Sequence, residues 1–197
     1  EKRPGLTALQ NGQRKAIIKA FHGVNEGAHA ALSGVLKNGF PGQKEQESAI
    51  KTLLNVLDSG NASRGRILFH DQRVSCGACH RIEGQGGQLG PNLTKIGRIR
   101  QPRDLLEAIL YPNSTVVNGY EHYILKTVDG ESYGGIIQRE TKDAIYLKNA
   151  SMRGVRVARS QIHRVTTSPI SVMPSGLNQV LSRQELLDLV AFLETCR

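Results

Sequence analysis

The residues best suited to chemistry stand together as Cys76-Gly77-Ala78-Cys79-His80. Two thiols three positions apart, on one turn of chain, can add to the two vinyl groups along one edge of a porphyrin. The histidine that follows then presents its imidazole to the iron as an axial ligand; Cys-x-x-Cys-His is the attachment pattern of c-type haem. Two other chemistries use paired cysteines. A structural zinc site needs a second ligand pair, and the only further cysteine is the isolated Cys196. A thioredoxin-like redox pair belongs in a βαβ context, which the flanking sequence does not provide. One covalent haem c is the expected cofactor, with Cys76 and Cys79 as its attachment points and His80 as an iron ligand.

The elements that must position this motif are legible on both sides of it. Gly65-x-x-x-Phe69 lies before it in a short helical stretch that Ser63 can cap. Gly90-Pro91-Asn92-Leu93 follows it, and Ser171-Val172-Met173-Pro174 stands near the C-terminus. This set resembles class I cytochrome c. The resemblance implies that the Pro91 carbonyl holds the His80 ring N–H, tuning the orientation and basicity of the ligand. It also implies that the Gly65/Phe69 helix packs on the last helix, and that Met173 binds the other face of the iron. His122, His163, Met152 and His70 are the competing candidates for that sixth position.

Taken in order, residues 1–57 read as three short helices. Their apolar stripes are Leu6 to Phe21, Ala28 to Leu36, and Ile50, Leu53, Leu54 and Leu57, with breaks at Gly23, at 38–42 and at Ser59-Gly60. His22 and His29 lie on these helices and read as surface residues. A helix carrying Leu105, Leu106, Ile109 and Leu110 should start near Pro102 and stop before Pro112. A β-rich stretch of about fifty residues then intervenes. Tyr120 to Val128, a turn at Asp129-Gly130, Ser132 to Gln138, Ala144 to Lys148, Gly154 to Ala158 and Ile162 to Val165 suggest five antiparallel strands and a small SH3- or Sm-like barrel. Ser182-Arg183-Gln184-Glu185 is a capping box that opens a final helix with Leu186, Leu189, Val190, Phe192 and Leu193 on its apolar side. Cys196 is expected as a free thiol at the fraying end.

A chain of 197 residues can bury a sizeable core shared between two or three units. The net charge is +9, and basic residues outnumber acidic ones in each of 1–60, 61–118 and 119–168. The excess is diffuse, with no arm or stripe, and no nucleic-acid partner is expected. Its densest groups are Lys95, Arg98, Arg100 and Arg103, then Arg153, Arg156, Arg159 and Arg164, which could steer an acidic redox partner. No signal-peptide pattern and no apolar run of about 18 residues is present, so no membrane span is expected in this chain.

The order of haem motif, Gly-Pro-Asn-Leu, Leu-Leu-Glu-Ala-Ile-Leu-Tyr-Pro, Gly-Tyr-Glu, β segment, Met-Pro-x-Gly-Leu and final helix is more specific. It resembles the haem-binding domain at the C-terminus of large planctomycete and verrucomicrobial dehydrogenase-like proteins, in which HEAT-like helical repeats precede the haem domain. The expected fold is mostly α with a β insertion: a HEAT-like helical segment over 1–60, a cytochrome c domain over 61–197, and the β module inserted at 119–168. The resemblance implies an exported, periplasmic electron-transfer module, not itself an enzyme, that serves a redox protein partner or a fused dehydrogenase. Two other functions share these residues. One is a haem enzyme or gas sensor whose methionine leaves the iron, and the other is a docking module in which haem is secondary.

Overall fold

The computed structural model describes residues 42–151 and 153–197. The two helical stripes expected before residue 38, with His22 and His29, and the candidate ligand Met152 lie outside the described residues.

The third stripe forms helix α1 (Gln43–Leu54), which buries Ile50 and Leu53. Helix α2 (Ala62–His70) follows a short 3-10 turn over Leu57–Ser59. Its cap is Asn61, whose side chain accepts the Arg64 N–H; Ser63, the expected cap, lies one residue inside the helix. Helix α3 is the single turn Cys76–Cys79, and α4 is the turn Ile96–Ile99. Helix α5 (Pro102–Leu110) has proline at its first position, where no amide hydrogen is needed, and buries Leu105, Leu106, Ile109 and Leu110. It ends at Tyr111, the residue before Pro112, because a following proline disfavours helical backbone there. After the β module come α6 (Leu177–Val180) and α7 (Arg183–Thr195). Ser182 and Glu185 cap α7 reciprocally, at 3.2 and 2.8 Å.

Helices α1, α2, α5, α6 and α7 share one apolar core. Its tightest point is the crossing of α2 on α7. A Cβ placed on Gly65 would lie 1.9 Å from the Asp188 carbonyl oxygen and 2.8 Å from the Phe192 Cβ. The backbones can approach this closely only because position 65 has no side chain. One turn further on, Phe69 meets Phe192 edge to face, with ring centroids 5.7 Å apart. Cys196 is part of this core and not a frayed end. It is buried, and its thiol is directed at the Phe192 carbonyl at 3.6 Å.

The α2–α7 crossing is also fixed by charge. Asp188, 3 % exposed, accepts hydrogen bonds from Arg64 Nε at 2.6 Å, Arg64 Nη2 at 2.8 Å, the Asn61 N–H and Gln184 Nε2. The paired Arg64 bonds hold its carboxyl down at about 2. Arg73 holds the Glu185 carboxyl at about 2 in the same way. A depressed carboxyl stabilises the fold at every pH above its unfolded value of about 4, and that stabilisation drains away as pH falls toward the folded value. Far-UV circular dichroism should therefore show stability declining between about pH 4 and pH 2. Asp188→Asn should be less stable at neutral pH and flatter across that window. A wild-type acid profile in Asp188→Asn would count against this account.

Between α5 and α6 stand β3 (His122–Thr127), β4 (Ser132–Glu140), β5 (Ala144–Lys148), β6 (Gly154–Ala158) and β7 (Ile162–Thr167), after the short strands β1 (Arg81–Ile82) and β2 (Gln85–Gly86). The five form an antiparallel sheet in the order β6-β5-β4-β3-β7, so the first strand pairs with both the second and the last. Leu125, Ile145, Leu147 and Val157 make its own core. A separate cluster, Leu89, Ile136 and Val172, joins β4 to the two loops that precede Pro91 and Met173.

Candidate haem site

The Cys76–Cys79 turn is closed by the His80 N–H bonding back to the Cys76 carbonyl at 2.9 Å. It starts from Ser75 in the left-handed region, φ 51°. The chain then reverses through Glu83 (φ 49°) and Gly84 (φ 83°) between β1 and β2. Two successive positive φ values match the twist of a two-residue hairpin. Gly87 brings the hairpin against the cysteine turn, where an added Cβ would sit 1.8 Å from the Ala78 carbonyl oxygen. The Gly87, Leu89 and Gly90 N–H groups then bond to the carbonyls of Gly77 and Cys79. Glycine is required here for approach, and the approach delivers Pro91 to His80.

His80 Nδ1 lies 2.9 Å from the Pro91 carbonyl oxygen. A carbonyl only accepts, so Nδ1 carries the hydrogen and Nε2 of the neutral ring keeps its lone pair. Burial lowers the imidazole pKa, favouring that neutral ligand form, although the Pro91 bond works in the other direction. Gly90 packs against the ring. An added Cβ would be 2.5 to 2.9 Å from three imidazole atoms.

Cys76, Cys79, His80, Pro91 and Met173 all line one cavity of about 520 Å³. Ile96, Leu105, Ile109, Ile136, Val172 and Leu193 are among its apolar walls. The competing ligands are placed differently. His122 is buried but lies off the cavity lining, with Nδ1 3.0 Å from the Ile170 carbonyl oxygen. His163 is exposed on β7, and His70 is exposed at the end of α2. Burial pushes the Cys76 thiol up to about 12 and the Cys79 thiol upward as well. A thioredoxin-like pair needs the opposite shift, toward thiolate. Among the described residues, no three His, Cys, Asp or Glu side chains converge as a metal-binding group. A flat apolar cofactor joined at two thiols and ligated by a nitrogen lone pair fits these walls and donors.

Residues 62–127 match the family model for cytochrome c. The match runs from α2 through the haem motif and α5 to the end of β3; Met173 and α7 lie beyond it. It supports a haem c cofactor and electron transfer as the role of this unit. A search of curated proteins finds no match. Among the described residues, no helix is long and apolar enough to cross a membrane.

The Leu89, Ile136 and Val172 cluster was not legible in the sequence. Its members come from three separate segments, and no local pattern links them. The two basic groups are smaller in space than in sequence. Arg103 is engaged by Glu47 and Glu107, and Arg159 by Glu140, while Lys95, Arg98 and Arg100 remain exposed. Arg100 stands at the cavity lining.

Proposed function

We propose that this chain is a monohaem c-type cytochrome of the periplasm or another exported compartment, passing single electrons between a redox partner or fused dehydrogenase and a downstream acceptor. What carries the reading is that two thiols, an imidazole oriented by a carbonyl, and a thioether line one apolar cavity. Cys76 and Cys79 would hold the haem through thioethers. His80 would ligate the iron through Nε2, with Pro91 fixing the ring, and Met173 would ligate it through its sulfur. A haem held by histidine and methionine supplies one-electron chemistry at a raised potential. The apolar walls exclude water, and the polypeptide contributes orientation and electrostatics. Exposed Lys95, Arg98 and Arg100 suit an acidic partner, so reduction by that partner should slow as salt rises.

The wider architecture follows the same proposal. Residues 61–197 would be the cytochrome unit of a longer dehydrogenase-like protein and 119–168 its inserted SH3- or Sm-like module; of the HEAT-like segment expected over 1–60, residues 42–60 are described, and α1 there packs into the same core as α2, α5 and α7.

The deciding experiment is extraction of the purified, coloured protein with acid–acetone, followed by a pyridine haemochrome spectrum. Colour should stay with the polypeptide and shift as two thioethers require; colour leaving with the solvent overturns the proposal. Met173→Ala should then abolish the weak near-red sulfur-to-iron absorption and admit CO to the ferrous protein. If that spectrum is unchanged while His122→Ala or His163→Ala alters it, the sixth ligand is a histidine.

A further inference from the structure

The loop from Ser168 to Gly176 carries Met173 without any helix or strand to hold it. Its backbone is fixed from outside instead. Asn113 Oδ1 accepts the Ser171 N–H at 2.6 Å, and Asn113 Nδ2 donates to Ser175 Oγ at 2.8 Å. One planar amide thus grips the loop two residues before Met173 and two residues after it. Between those points the Met173 N–H bonds to Ser171 Oγ at 3.1 Å. Ser175 is buried, so its hydroxyl is not simply exchanging the amide for water.

Asn113 is itself well placed to act as a fixed point. It follows Pro112 in a turn closed by the Ser114 N–H on the Tyr111 carbonyl at 2.8 Å. Proline favours the second position of such turns by presetting φ. Tyr111 and Pro112 line the cavity that Met173 lines, so the turn ties the end of α5 to the methionine loop at the cavity wall.

We propose that Asn113 is the positioning residue for Met173, holding its loop so that the thioether stays over the iron. The inference rests on the reading of Met173 as a ligand. A methionine has three rotatable side-chain bonds, and its loop makes no strand or helix bonds of its own. Occupancy of the iron by a soft thioether then depends on how far the loop is preorganised. An asparagine amide supplies one acceptor for the backbone N–H and one donor for the hydroxyl, which leucine of similar size cannot. Aspartate keeps the acceptor for Ser171 and can accept the Ser175 O–H, so it is the conservative replacement.

The test compares wild type, Asn113→Leu, Asn113→Asp, Ser175→Ala and Met173→Ala as holoproteins, by near-red absorption, ferrous CO titration and redox potentiometry. Asn113→Leu should keep its covalent haem, lose most of the sulfur-to-iron band, and bind CO at least about tenfold more tightly than wild type, the scale on which outer-shell partners act. Its potential should shift in the direction of Met173→Ala, while Asn113→Asp should retain the band. Should the leucine variant not fold, Ser175→Ala removes one of the two grips and should show the same changes in part. Lower thermal stability with an unaltered band and CO affinity would make Asn113 a merely structural residue and overturn the proposal. A Met173→Ala spectrum identical to wild type would overturn the ligand reading itself, and this inference with it.

Discussion

Gly65→Ala should destabilise the protein by about 3 kcal/mol, near the upper end of ordinary overpacking costs. For a chain of this size that lowers the thermal midpoint by roughly 10 °C. The expectation runs against helix propensity, which favours alanine over glycine by about 1 kcal/mol in a helix interior. Packing wins because the new methyl would sit 1.9 Å from a backbone oxygen of α7, which cannot swing aside as a side-chain tip could. The helices must separate, and the Phe69–Phe192 contact and the Arg64–Asp188 pair separate with them. Ile67→Ala is the matched control on the same helix. Ile67 is 73 % exposed, so its truncation should change stability by no more than about 0.5 kcal/mol. A neutral or stabilising Gly65→Ala, measured by thermal circular dichroism of the holoprotein, would mean that α2 and α7 do not cross at residue 65.

What could be read ahead of the structure divides along physical lines. Local signals were sufficient where one segment settles its own conformation. The proline at the start of α5 and the one after its end, the Ser182/Glu185 box and the Asp129-Gly130 turn between β3 and β4 all act within a few residues. The haem motif was legible for the same reason, since its chemistry is contained in one turn. Three things were not. Asn61 and not Ser63 caps α2, because both are competent caps and tertiary bonds to Asp188 select the earlier one. Cys196 belongs to the core because α7 is held to its last turn, where the Gly97 N–H bonds to the Cys196 carbonyl. Asn113 and Ile136 act on residues more than thirty positions away in sequence, and no local pattern marks such a partner.

Ile136→Ala should lower stability by about 3 kcal/mol, the usual cost of emptying a buried isoleucine site, and, with Met173 as the proposed ligand, should also weaken the sulfur-to-iron band. Ile136 is 3 % exposed and packs on Leu89 and Val172, which are 1 % and 8 % exposed. Leu89 stands two residues before Pro91, and Val172 stands next to Met173. A single side chain of the β module therefore braces the segments that approach the site from both sides. His122, directly opposite Ile136 on β3 and so on the same face, adds a polar tie through its bond to the Ile170 carbonyl. Leu147 makes the comparison sharp. It is 1 % exposed, lies in the module's own core, and is not among the residues lining the cavity that Met173 lines. Leu147→Ala should cost a similar amount, because the deletion is similar in size, yet leave the sulfur-to-iron band intact. Each variant keeps most molecules folded at 25 °C if the parent has ordinary stability, so the spectra report ligation and not unfolding. If both variants leave the band unaltered, the module is a passive insertion, and its apolar contact with the two loops serves stability alone. If both abolish it, the sheet transmits any loosening to the haem site, and the division between its two clusters is not a functional one.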